Sequence, residues 1–198
     1  VTDGSCANAS TITRTWTLFD DCGNATTCDQ VITVIDSTAP SIDVEAQDQT
    51  VECSADNDAA LQAWLDNIAG ASATDACSDV TWTYEPNPAT LSDGCGATGA
   101  VTVTFIASDD CGNTSTTQAT FTVEDTTAPE TTSQATNETV ECDGQGNVAE
   151  LQAWLANNGG AAATDNCGNV TWSNDFNGLS DECGATGTVT VTFTAVDD

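Results

Sequence analysis

The sequence predicts an all-β fold made of tandem immunoglobulin-like β-sandwich domains, each with one short inserted helix. Three observations predict it. The chain repeats itself at a period of about 89 residues, long enough for a small domain rather than a solenoid unit. Short threonine- and valine-rich segments recur in each copy between turn residues, with period-two alternation. One segment per copy instead carries an apolar stripe at helical spacing.

The repeat is visible in several blocks. Val51-Glu52-Cys53 returns as Val140-Glu141-Cys142, and Leu61-Gln62-Ala63-Trp64-Leu65 as Leu151-Gln152-Ala153-Trp154-Leu155. Asp21-Cys22-Gly23-Asn24 returns at Asp110-Cys111-Gly112-Asn113, and the linker Asp36-Ser37-Thr38-Ala39-Pro40 at Asp125-Thr126-Thr127-Ala128-Pro129. With Ala-Pro as boundary, residues 1–40 are expected to close one domain, 41–128 to form a whole one, and 129–198 to begin a third that lacks its last strand. The chain thus reads as a window on a tandem array.

In the middle domain, strands are expected at Ser41 to Val44, Gln49 to Cys53, Val80 to Tyr84, Ala100 to Ser108 and Gln118 to Val123. Val101, Val103, Phe105 and Ala107 alternate with Thr102, Thr104, Ile106 and Ser108, which gives one buried and one threonine-rich face. The last two strands flank Asp109-Asp110-Cys111-Gly112-Asn113, whose Gly and Asn suit a hairpin turn. The sandwich expectation rests on these short, regularly spaced strands and on Trp82 and Trp172, placed on the third strand of each copy. Asp56 to Asp58 offer helix N-caps, Leu61, Trp64, Leu65 and Ile68 form the stripe, and Gly70 closes it; the copy runs from Asn147 to Gly159. Trp64 and Trp154 are read as anchors of the helix on the sandwich rather than sugar-stacking platforms.

Thirty-one acidic residues face one base, Arg14, for a net charge of -30, with no histidine. Nucleic acid and anionic membrane are excluded as partners. Self-repulsion on this scale calls for cations, bound or as salt. Apolar residues at 39% nevertheless separate the chain from disordered acidic tails. No apolar run reaches 18 residues, so no membrane insertion is expected in this segment.

Ten cysteines without histidine or a CxxC pair indicate disulfides in an oxidising, extracellular compartment rather than zinc. Four positions recur: Cys53 with Cys142, Cys77 with Cys167, Cys95 with Cys6 and Cys183, and Cys111 with Cys22; Cys28 has no counterpart. Cys53, Cys77 and Cys111 are expected near one pole of a sandwich and Cys95 at the other. The first hypothesis pairs Cys53 with Cys77 and Cys142 with Cys167, each worth about 3 kcal/mol on the chain-entropy model. Cys53 to Cys111 is the rival. With Cys53 and Cys77 so paired, Cys6 is expected to reach Cys111 across the domain junction and staple the array lengthwise.

Aspartates gather at the turns: Asp75, Asp109, Asp110 and Asp125, with their copies Asp165, Asp197, Asp198 and Asp36. Hard oxygen ligands from several loops suit calcium; the plain alternative is that aspartate favours turns by bonding its own backbone. The candidate geometry is the junction, with Asp36 meeting Asp109 and Asp110, and Asp125 meeting Asp197 and Asp198, helped by Asp93 and Asp181. The spacing is not that of an EF-hand loop.

The pattern Asp-Asp-Cys-Gly-Asn-x-(Thr/Ser), followed about a dozen residues later by Val-x-Asp-(Ser/Thr)-Thr-Ala-Pro, resembles the hyalin-type (HYR) repeats of large Bacteroidota surface adhesins, including gliding-motility and type 9 secreted proteins. The resemblance covers essentially the whole chain. It implies an immunoglobulin-like fold and a cell-surface, adhesive or filamentous role. The junction acids also resemble those of cadherins, whose linkers bind calcium, although the fuller Asp-x-Asn-Asp-Asn linker is absent here. The inserted helix departs from a plain hyalin repeat. Asp36-Ser37-Thr38 and Asp125-Thr126-Thr127 resemble the O-glycosylation acceptor of that phylum, which implies Ser37 and Thr126 as modified residues.

The leading function is therefore a structural repeat of an extracellular adhesin stalk or surface filament, stiffened by disulfides and calcium. Its expected partners are neighbouring repeats, with lateral or end-to-end self-association through exposed strand edges. The alternative is a calcium-dependent carbohydrate-binding sandwich, which needs exposed aromatics on one face. An enzyme is not expected: without histidine or lysine, the general bases and oxyanion donors reduce to carboxylates and backbone.

Overall fold

The computed structural model describes the chain apart from Ser5, Ala7, Asp93, residues 95–97, residues 181–185 and Asp198. It is an all-β, sandwich-type fold with one short helix in each of two repeats. Strands β1 (Thr2–Asp3), β2 (Ser10–Phe19) and β3 (Ala25–Val34) form an antiparallel sheet in that order. The β2–β3 turn is closed by Asp20, whose carboxylate accepts the Cys22 and Asn24 N–H groups at 3.0 and 2.8 Å, while Gly23 takes the left-handed φ of +85°. Arg14, the lone base, lies 5.4 Å over the Trp16 ring.

In the middle repeat β4 (Ser41–Val44) pairs with β6 (Ser72–Thr74), a strand too short and small-sided to read from the sequence. The larger sheet has the order β5-β9-β8-β7, with β5 at Gln49–Glu52, β7 at Thr81–Glu85, β8 at Gly99–Ser108 and β9 at Thr114–Glu124. The β8 alternation is as expected: Val103, Phe105 and Ala107 are at most 1% exposed, and the other face carries a Thr102–Thr120 hydroxyl pair at 3.0 Å. Helix α1 (Asn57–Asp66) lays Leu61, Trp64 and Leu65 on the buried face of Val103, Phe105 and Ala107. The Trp64 ring lies 5.4 Å from Phe105, edge-on, and 5.5 Å from Phe121, and its indole N–H donates to the Gln47 carbonyl at 3.0 Å. The helix start is tied by Asn57, which accepts the Ser54 N–H and hydroxyl; a 3₁₀ turn ends at Gly70, φ +77°.

The third repeat repeats these pieces with β10 (Glu130–Ser133) on β11 (Ala162–Thr164), α2 (Val148–Ala156), and β12 (Thr171–Asn174) on β13 (Phe193–Val196). Trp154 again packs edge-on against the strand, 5.2 Å from Phe193, and donates to the Thr136 carbonyl at 3.0 Å.

Spatially the chain divides into two compact units that interleave along the sequence. One comprises Val1–Thr50, Asp58–Leu91 and Ala100–Thr122; the other Val51–Asn57, Ser92–Gly99 and Val123–Asp198. The ends of β5 and β9 thus belong with the third repeat, and the first hairpin with most of the middle one.

Candidate cross-link and metal centres

Among the described residues, two disulfides join cysteines far apart in sequence. Cys6 bonds Cys111 in the first unit, Cα atoms 4.9 Å apart and separated by 105 residues. The pairing is the one expected from the sequence, and both cysteines belong to the same compact unit. In the second unit Cys53 bonds Cys167, at 5.6 Å and a separation of 114 residues. The expected pairs Cys53–Cys77 and Cys142–Cys167, and the rival Cys53–Cys111, are therefore corrected. The physical reason lies at the end of β5. The Cys53 N–H donates to the Glu124 carbonyl at 2.8 Å, and its own carbonyl accepts the Asn166 amide, which hold it beside the loop carrying Cys167. Cys77 belongs to the other unit and forms no disulfide, like the exposed Cys22 and Cys28. Cys95 and Cys183 lie outside the described residues.

Each unit also gathers acids around the linker. In the first, Asp75 accepts the Cys77 and Ser78 N–H groups at 2.8 and 3.1 Å, a turn in which a carboxylate satisfies backbone donors two and three residues on. Asp36 accepts the Thr38 N–H at 3.0 Å in the same manner. The hairpin tip holds the linker in place: the Asn113 amide donates to the Asp36 carbonyl at 3.5 Å and the Ser115 hydroxyl to the Pro40 carbonyl at 2.6 Å. The result is a cluster in which carboxylate oxygens of Asp36 and Asp75 and the Cys77 Sγ lie within 4.8 Å of one another. The Asp36 charge, burial and the Asp75 charge push the Cys77 thiol up from its ordinary value.

The second unit reproduces the arrangement with oxygen alone. Asp165 accepts the Cys167 N–H at 2.7 Å and Asp125 the Thr127 N–H at 3.1 Å; Asp125, Asp165 and Asp197 form the cluster, again within 4.8 Å. The Thr127 N–H favours the Asp125 carboxylate, yet burial and the charges of Asp165, Asp197 and Glu52 together outweigh it and raise its pKa. Asp36 Oδ2 and Asp165 Oδ2, one per cluster, are buried without a hydrogen-bonding N–H or O–H. A buried carboxylate oxygen with no donor is costly unless a cation meets it. The three carboxylates of the second unit could hold a metal ion, whereas the thiol beside the two carboxylates of the first is not a donor that calcium takes.

The remaining expected ligands stand apart. Asp109 is 6% exposed, and its carboxylate is taken up by the Cys111 N–H, the Asn113 N–H and the Asn113 amide at 2.8, 2.8 and 2.7 Å. Burial opposes its charge, but these donors, led by the Asn113 side chain, outweigh it and hold the pKa below the ordinary value. Asp110 is exposed at the hairpin tip, where its N–H donates to Ser78 Oγ at 3.2 Å. Asp36 therefore clusters with Asp75 rather than with Asp109 and Asp110. Asp93, Asp181 and Asp198 lie outside the described residues. Ser37 is exposed, whereas the Thr126 hydroxyl donates to Glu52 Oε2 at 2.8 Å, a bond that a glycan there displaces.

Glu52 is the functional residue that the sequence reading missed. Its carboxylate accepts the Thr126 N–H at 2.9 Å, the Thr126 hydroxyl, and the Thr127 hydroxyl at 2.8 Å. These bonds, the Thr126 N–H first, lower its pKa. The signal was present in the repeated Val-Glu-Cys and in the hydroxyl pair following each linker aspartate. No protein-family model matches the chain, and no curated protein matches it significantly.

Proposed function

We propose that this chain is a structural repeat segment of an extracellular adhesin stalk or surface filament, rigidified by disulfides and by calcium at the linker acids. One observation carries the reading above the others: Cys6–Cys111 and Cys53–Cys167 span 105 and 114 residues and interleave, each closing a loop that contains one end of the other. Closing a loop of about 100 residues is worth about 4.7 kcal/mol on the chain-entropy model. Such bonds suit a protein that must hold its length under load. They also offset what a core thinned by 31 acids supplies. The hyalin-type resemblance supports the same role, with neighbouring repeats as partners, and no helix among the described residues is long and apolar enough to cross a membrane. The carbohydrate-binding alternative gains nothing from Trp64 and Trp154, which pack edge-on against Phe105 and Phe193.

A thermal melt of the oxidised chain in calcium and then in chelator tests the metal half of the proposal. A higher melting temperature in calcium supports a metal-stiffened stalk. An unchanged melt returns the linker acids to the role of turn residues and leaves the disulfides alone as staples.

A further inference from the structure

We infer that Ser37, Thr38 and Cys77 form an open socket for the Glu-Cys end of a strand from another repeat of this kind, closed by a disulfide to Cys77. The second unit displays the occupied version. There Glu52 is held by the hydroxyls of Thr126 and Thr127, and the next residue, Cys53, bonds Cys167. The first unit carries the hydroxyl pair, the two aspartates and the cysteine of that site in the same local geometry, with Ala76 where Asn166 donates to the Cys53 carbonyl. Ser37 and Thr38 stand where Thr126 and Thr127 stand after the linker aspartate, and the Thr38 N–H donates to Asp36 as the Thr127 N–H does to Asp125. Cys77 stands where Cys167 stands, its N–H on Asp75 as that of Cys167 is on Asp165. Asp36 and Asp75 approach one another as Asp125 and Asp165 do, so linker and cysteine loop are already juxtaposed. What also differs is occupancy: among the described residues the Ser37 and Thr38 hydroxyls make no hydrogen bond, and Cys77 forms no disulfide. Cys53 is already bonded to Cys167, so the Glu-Cys end that fits Cys77 is that of another repeat.

The chemistry is thiol–disulfide exchange. Joining two cysteine thiols passes two electrons and two protons to a donor disulfide, small-molecule or protein, in the oxidising compartment. The carboxylate docked on the two hydroxyls aligns the incoming sulfur before the bond forms.

The socket rests on the stalk reading only in taking another repeat as the partner. The test offers the full 198-residue chain, with its two disulfides intact, a peptide of residues 49–54 as its mixed disulfide with glutathione. The Cys77 thiolate attacks the peptide sulfur, the old S–S bond breaks, and glutathione leaves as the thiolate and takes up a proton. Peptide mapping then reads adducts at Cys77, Cys22 and Cys28. Capture at Cys77 is expected to exceed that at the more exposed Cys22 and Cys28 by about tenfold, and to fall about tenfold when the peptide carries Glu52→Gln or the chain carries S37A and T38A together, since charge-assisted hydrogen bonds are lost. Preferential capture at Cys22 and Cys28, as exposure alone dictates, or capture at Cys77 indifferent to the glutamate, overturns the socket. Either result leaves calcium-dependent stabilisation untouched, so failure of the socket is distinct from failure of the stalk proposal.

Discussion

Asp109 and Asp125 are both turn aspartates near a linker, yet their surroundings push their proton affinities in opposite directions. Asp109 is held below its ordinary value of 3.8 by donors from Asn113, Cys111 and Gly112 that outweigh its burial. Its contribution to stability is therefore present above about pH 4 and is lost as pH falls through the lower folded value. Asp109→Ala is expected to lower the melting temperature at neutral pH and to flatten the acid limb of the stability profile, as read by melts at stepped pH. Asp125 is raised above 3.8 because burial and the charges of Asp165, Asp197 and Glu52 outweigh the Thr127 N–H. For this group the sign reverses: the folded state is favoured at pH below the ordinary value, and that advantage is lost as pH rises through the folded value. Asp125→Asn in chelator is thus expected to raise the melting temperature by relieving like-charge repulsion, and to remove the stabilisation by calcium proposed for the parent chain. A variant that melts lower in chelator contradicts the repulsion. At this scale the acids were legible as turn residues, but their partners were not. Asp109 has Asn113 four residues on to absorb its carboxylate, and only the three-dimensional path of the chain puts Asp75 against Asp36.

At the scale of elements, α1 and the β8–β9 hairpin were the most legible parts, because each carries a strong periodic signal and a turn of fixed chemistry. Leu61, Trp64 and Leu65 are 7%, 5% and 4% exposed, so the stripe read at helical spacing is the buried one. Trp64→Ala removes the ring between Phe105 and Phe121 and the bond to Gln47. A cost of about 3–5 kcal/mol is expected from denaturant melts; a cost within the surface range of about 0.5 kcal/mol contradicts the packing. The start of β9 was less legible. It begins at Thr114 rather than Gln118 because Thr114-Ser115-Thr116-Thr117 lacks apolar alternation, and backbone pairing with β8 decides its length. Strand β6 went unread for the same reason, its Ser-Ala-Thr carrying too little side chain to show a face. The β2–β3 hairpin shares the alternation and turn of its buried counterpart but not its burial: Trp16 is 56% exposed and Leu18 71%, where Phe105 and Ala107 are at most 1%. In the middle repeat a helix and its tryptophan cover those positions.

Across the whole molecule, the two disulfides decide what a broken or stretched chain does. Their loops overlap between Cys53 and Cys111, so a single backbone cut anywhere between Cys6 and Cys167 leaves the two pieces covalently joined. Limited proteolysis at the exposed turn after β2, followed by non-reducing and reducing gels, is expected to show an intact band that separates only with reductant. The Cys6–Cys111 link was legible from the placement of strand ends at opposite poles. The Cys53–Cys167 link was not, because repeat symmetry leaves open whether a cysteine pairs inside its own copy or with the next, and loop entropy alone favours the shorter closure. The choice is made by the β5 end, pinned to Glu124 and, through Glu52, to the linker threonines.

The most direct test of the stalk account is single-molecule extension of the chain held at its two ends, with and without reductant. Oxidised, the segment from Cys6 to Cys167 is limited to its shorter covalent path, from Cys6 along the chain to Cys53 and across the disulfide, about 50 residues or ~170 Å at full extension. Reduced, the same segment is expected to release about 160 residues, or ~550 Å. A roughly threefold gain on reduction is the predicted result; equal extension in both conditions contradicts a stalk whose length the interleaved disulfides set.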